Sequence, residues 1–95
     1  MATYEENTKE LFEAILRLET VEECQSFFND LCTVKELKEM SQRFEVARLL
    51  NQGLVYSDIA SKTGASTTTI SRVNRSLMYG ENGYKTAIER MNKSE

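Results

Sequence analysis

Ser66, Thr67, Thr68 and Thr69 form an unbroken run of hydroxyl-bearing residues, and Arg72 and Arg75 follow within two helical turns. Hydroxyls bond base edges and phosphates, threonine methyls touch thymine, and guanidinium forks match phosphate oxygens. Free amides at a helix start also favour an anion. The chemistry this run suits is recognition of duplex DNA. Catalysis finds little support, since the chain has no histidine, no glycine-rich phosphate loop and no nucleophile elbow. Without them the usual general base and nucleophile pairs are missing, and no enzyme is expected. Cys24 and Cys32 lie eight residues apart in a helical stretch, roughly 12 Å along its axis. That is too far for a disulfide, and two thiols without histidine make a poor zinc site, so no metal is expected.

The hydroxyl run needs a scaffold, and the surrounding sequence, YSDIASKTGASTTTISRVNR, supplies one between Tyr56 and Arg75. Ile59 and Ala60 fall midway along a first short helix capped by Ser57, Gly64 falls in a turn, and Ile70 and Val73 face back from a second helix capped by Ser66. Two helices that cross steeply need a small residue where their backbones approach, here Ala60. The turn needs a residue that enters the left-handed region cheaply, here Gly64. All five positions fit a helix-turn-helix. The second helix then presents its start to the major groove. The candidate DNA-contacting residues are Ser57, Lys62, Ala65, Ser66, Thr67, Thr68, Thr69, Ser71, Arg72 and Arg75.

The periodicity is helical elsewhere too, and the fold class expected is all-α with six helices in one domain over residues 1–95. Leu11, Ala14, Ile15 and Leu18 mark a first helix. Thr20 and Glu23 have capping-box spacing before a second helix that carries Val21, Cys24, Phe27, Phe28 and Leu31 inward. Thr33 and Glu36 repeat that signal before a long third helix reaching about Gln52, with Gly53 just past its end. Leu37, Met40, Phe44, Ala47 and Leu50 form one seam of it, widened by Val46 and Leu49, as suits contact on more than one side. Gly80 to Gly83 is a turn cluster. A last helix follows, with Tyr84, Ala87, Ile88 and Met91 on one face.

Apolar residues make up 40 % of the chain and charged ones 28 %, a globular mixture rather than a disordered one. A 95-residue chain has room for one thin core, for which pairing of two chains is one remedy. The N-terminus is acidic and polar, unlike a signal peptide, and no stretch approaches the ~20 apolar residues that span a bilayer. A cytoplasmic protein without a membrane partner is expected. The net charge of −3 opposes nucleic-acid binding until its distribution is considered. From Ser41 to Leu77 there are 5 basic residues against 2 acidic, while the remainder has 7 against 13. A basic segment sits in an acidic envelope, and duplex phosphates meet the local patch.

From Thr33 to Leu77 the chain resembles the Trp repressor superfamily, most closely its YerC/YecD-type Trp-repressor-like group. The resemblance is carried by Thr33, Met40-Ser41-Gln42-Arg43, the ARLLNQG helix end and YSDIASKTGASTTTISRVNRSL. It implies a bacterial DNA-binding transcription regulator, a repressor, built as an intertwined homodimer whose first helices and long third helix interlock with the partner chain. Two recognition helices would then read a near-palindromic operator. It also implies an effector pocket, with two arginines at Arg43 and Arg72, a threonine at Thr33 and a serine at Ser76. Tryptophan-binding members have glycine beside the second arginine, and this chain has Val73. A branched side chain fills space that bare backbone would leave, so tryptophan is not expected to bind in the family manner. No other cofactor is expected, and an unidentified small effector stays open. The alternative to a regulator is a helical module whose helix-turn-helix docks a protein partner.

Overall fold

Local capping decides where most of the helices begin. The computed structural model describes residues 1–93. It contains α1 (Tyr4–Leu16), α2 (Val21–Leu31), α3 (Val34–Asn51), α4 (Tyr56–Thr63), α5 (Thr67–Tyr79) and α6 (Gly83–Lys93), with no strand among the described residues. The six-helix, all-α expectation holds. Packing divides the chain into two units, Met1–Leu37 and Lys38–Glu95, with the boundary inside α3.

In the first unit, three threonines start three helices. Thr20 Oγ1 accepts from the Glu23 amide at 3.0 Å, but the Glu23 carboxylate reaches the amide of Glu19 at 2.8 Å, one residue beyond the expected partner. Thr33 and Glu36 form the full reciprocal box, with bonds of 2.8 and 3.1 Å. Thr3 and Glu6 form another, at 3.2 and 3.1 Å, that the spacing alone would have announced. α1 stops at Leu16, with Arg17 at its C-cap, so Leu18 lies past the helix rather than on it.

The expected inward face of α2 is only partly covered. Cys24, Phe27 and Phe28 are half-buried, and the two rings meet edge to face at 5.5 Å. Val21 is 78 % exposed and Leu31 51 %, contrary to the inward reading. No residue of α1 or α2 is fully buried. Two helices of 13 and 11 residues have too little surface to enclose an apolar stripe between themselves. Both cysteines are free thiols.

The Thr33–Glu36 box has a pH signature. Bonds from the Thr33 amide and hydroxyl hold the Glu36 carboxyl below its ordinary value of 4.5. A lowered carboxylate favours the folded helix start above the ordinary value and loses that contribution as pH falls through the lowered one. The Glu36 carboxyl should therefore titrate below 4.5 by NMR, with the first turn of α3 loosening over the same range. Glu36→Gln should leave that turn insensitive to pH. A midpoint at or above the ordinary value would contradict the box.

The second unit holds the core: Val46, Ala47, Ile59, Ala65, Ile70, Val73 and Ile88, with Phe44, Leu49, Leu50, Leu54, Ala60 and Tyr84 packed around them. The end of α3 sets the path into it. Leu54 N–H donates to the Leu49 carbonyl at 3.2 Å and Gly53 N–H to that of Leu50 at 3.0 Å, which together make a Schellman motif. Gly53 takes φ +89, a conformation open to glycine and costly to most other residues. The motif turns Leu54 inward and leaves Val55, rather than Ser57, at the N-cap of α4. Val55 has no side-chain oxygen, so the first-turn amides of α4 have no side-chain cap, and Ser57 is already inside the helix.

Candidate nucleic-acid interface

The turn between α4 and α5 is three residues, Gly64 to Ser66, and its geometry is tightly specified. Gly64 adopts φ +75 and its amide donates to the Ala60 carbonyl at 2.9 Å. Thr63 Oγ1 donates to the Ile59 carbonyl at 2.7 Å and accepts from the Ala65 amide at 3.1 Å. Gln42 on α3 donates through Nε2 to the Thr63 carbonyl at 3.2 Å, pinning the turn to α3. The sequence reading missed both Thr63 and Gln42. Neither is a conventional turn residue, and only the crossing of α3 with the turn makes them partners.

Ser66 is the N-cap of α5, as its sequence position suggested: its Oγ accepts from the Thr69 amide at 3.1 Å. That hydroxyl also donates to Thr69 Oγ1 at 3.1 Å, so Ser66 and Thr69 are largely occupied with one another. Thr67 and Thr68 remain exposed, with no side-chain bond among the described residues. Ser57, Lys62, Ser71, Arg72 and Arg75 are exposed as well. Ala65 is the exception among the expected contacts. It is 5 % exposed and belongs to the core cluster, because the turn folds it under the two helices. Its side chain is structural, and it leaves the candidate set.

Among the described residues, no carboxylate stands within ion-pairing distance of Arg43, Lys62, Arg72 or Arg75. Arg48 is different. It pairs with Glu45 at 3.2 Å on the surface of α3, a contact that offsets its charge and adds little stability. The free positive charge of the segment therefore lies on α4 and α5 and on the face of α3 that carries Arg43.

Arg43 and Arg72 line a hollow of about 330 Å³ together with Glu39, Gln42 and Thr69. Val73 is 2 % exposed and packs in the core, which the inward stripe of α5 requires. It does not line that hollow. Ser76 lines a different depression, of about 400 Å³ at the α5–α6 corner, with Gly80, Glu81, Gly83 and Tyr84. Thr33 spends its hydroxyl as the cap of α3. Glu39 and Gln42 were not singled out from the sequence, although they share a helical face with Arg43 at spacing i, i+3, i+4.

A family model described as Trp repressor protein matches residues 6–92. The chain belongs to the Trp repressor family. The uncharacterized protein YerC of Bacillus subtilis (strain 168) is 50 % identical over 86 residues, covering 90 % of this chain and 83 % of that protein. A crystal structure of a TrpR-like protein from Eubacterium eligens ATCC 27750 superposes with a TM-score of 0.89 at 53 % identity. That match covers 92 % of this chain and 90 % of the other. A candidate Trp repressor from Staphylococcus aureus gives 0.87 at 52 % identity, over 90 % and 86 % of the two chains. At family level this Trp repressor homologue is a DNA-binding regulator. Among the described residues, no helix is long and apolar enough to cross a membrane.

Proposed function

We propose that the chain is a cytoplasmic, sequence-specific regulator of transcription, a repressor, that reads duplex DNA with the start of α5. One observation carries the reading: Ser66 caps α5 and leaves Thr67 and Thr68 exposed, while Lys62, Arg72 and Arg75 have no carboxylate partner among the described residues. Uncommitted hydroxyls at a helix start suit base edges, and free cations around them suit the flanking phosphates. The docking-module alternative calls for an apolar contact face, and the exposed side of this helix start is polar.

The regulator works as a homodimer. Phe12, Leu16, Val21 and Leu31 are 57, 84, 78 and 51 % exposed in the single chain, a large apolar surface for a soluble monomer. A second copy covering it would pair two recognition helices, and a near-palindromic operator calls for such helices roughly 34–36 Å apart, the spacing of successive major grooves. Sedimentation equilibrium should give twice the chain mass, and Phe12→Asp should shift the protein towards monomer or aggregate, because an unpaired charge would be buried. A wild-type monomer at micromolar concentration would remove the dimer.

The direct test uses an operator selected from fragmented genomic DNA and a random duplex of equal length, both titrated by fluorescence anisotropy. Thr68→Ala should lower the preference for operator by roughly 3- to 10-fold, the worth of one hydrogen bond. Arg75→Ala should weaken both duplexes about equally and reduce the salt slope by about 1 per affected contact. The reverse assignment would mean that α5 does not enter the groove by its start.

A further inference from the structure

The chain has six asparagines, and one stands apart from the rest in both sequence and structure. Asn7, Asn29, Asn51, Asn74 and Asn92 all lie within helices, and the residues that follow them are Thr8, Asp30, Gln52, Arg75 and Lys93. Asn82 lies in the corner between α5 and α6, and the residue that follows it is Gly83. Both are exposed. Among the described residues, the Asn82 side chain makes no hydrogen bond and the Gly83 amide donates to no carbonyl. The first amides of any helix lack an intrahelical partner, and Gly83 opens α6. Asn82 takes φ +65, a left-handed conformation that asparagine enters more readily than most residues. The space around Gly83 is open, since a Cβ built there would meet nothing within 4 Å.

An amide nitrogen that follows an asparagine can close on the side-chain carbonyl carbon, and a glycine there lacks the Cβ that hinders the approach. We propose that Asn82–Gly83 is a site of spontaneous deamidation, whose product loosens the docking of α6. In the first step Gly83 N, losing its proton to hydroxide, attacks Asn82 Cγ. The N–Cγ bond forms, the Cγ–Nδ2 bond breaks, and Nδ2 leaves as ammonia. Water then opens the five-membered imide at either carbonyl, giving an aspartate or isoaspartate linkage. One bond must yield for this, the 2.9 Å bond from Thr86 N–H to the Asn82 carbonyl, and helix ends open at little cost. An isoaspartate linkage routes the backbone through the former side chain, which adds one carbon to the corner and displaces the carbonyl that Thr86 used. The α5 side of the corner has no room to absorb the change, because a Cβ on Gly80 would already run into the Ser76 carbonyl. α6 supplies Ile88 to the core and Tyr84 to its margin, with the Tyr84 ring 6.4 Å from that of Phe44. None of this rests on the regulator reading.

The full chain, held for weeks in warm neutral buffer and then digested with trypsin, tests the site by mass spectrometry. Peptide 76–85 should gain about one mass unit and resolve into aspartate and isoaspartate forms, while the other asparagines stay unchanged. The rate should rise with hydroxide concentration. Gly83→Ala, which the open space admits without a clash, should slow the reaction by roughly tenfold in a fully folded protein. By circular dichroism, the aged wild type should melt at a lower temperature than fresh protein, and aged Gly83→Ala should not. A rate at Asn82 no faster than at the other asparagines would overturn the site, as would reaction in urea but not in the folded chain. A modified chain with an unaltered melting temperature would overturn the effect on α6.

Discussion

Ile70→Ala is expected to lower the unfolding free energy by about 2–5 kcal/mol, the range for truncating a well-packed aliphatic residue. Ile70 is 0 % exposed and lies in the cluster with Ile59, Ala65 and Val73, where α5 packs back on α4 and the turn. The cavity cannot be filled easily from either side. The turn above it is held by bonds from Thr63 and Gln42, and the neighbouring helices are short. Small domains hold about 5–15 kcal/mol in total, so the loss takes a large fraction of the fold. Urea unfolding followed by circular dichroism would measure it. A loss below about 1 kcal/mol would show that the helix pair collapses onto the gap, and hence that its crossing is not fixed by this side chain. DNA affinity should fall in parallel near the lowered melting temperature, since α5, the helix proposed to read DNA, is held by the same core.

The second large effect is expected from salt. Lys62, Arg72 and Arg75 give about six phosphate contacts in a dimer, and each neutralised phosphate releases condensed counterion with a slope near −0.9. A slope near −5 on logarithmic axes follows, so affinity for any duplex should drop roughly 10³-fold between 50 and 200 mM salt. Preference for the operator over random DNA should change far less, because base-edge bonds displace few ions. A slope near zero would move the chain to the protein-docking alternative, whose packed apolar contacts respond little to salt. The acidic first unit makes the test sharper. Residues 1–37 carry 9 acidic side chains against 3 basic, so non-specific attraction should come from the second unit alone.

The sequence was informative wherever a short segment decides its own structure. The Thr33–Glu36 box, the Ser66 cap, Gly53 and Gly64 at left-handed positions, and the inward Ile59, Ile70 and Val73 are all legible in the sequence. Each depends on neighbours within a few residues, through backbone dihedrals or helical spacing. The α4–α5 helix pair and its turn were legible for the same reason, being contiguous in the chain. The N-cap of α4 was misplaced because serine has the better cap chemistry, while the Schellman turn after α3 had already set where the next helix must begin.

What the sequence by itself determined, then, is the six helices, the paired α4 and α5 with their turn, the local surplus of positive charge and, through its motifs, the family. Those follow from forces acting along the chain. Only the tertiary structure decided that Ala65 is buried and that Ser76 and the two arginines line different hollows. It alone brought Glu39 and Gln42, some thirty residues away in sequence, opposite Thr69 and Arg72. Such neighbours are chosen by how helices cross, and a crossing is set by the sum of many side-chain contacts rather than by the spacing of residues in any one segment.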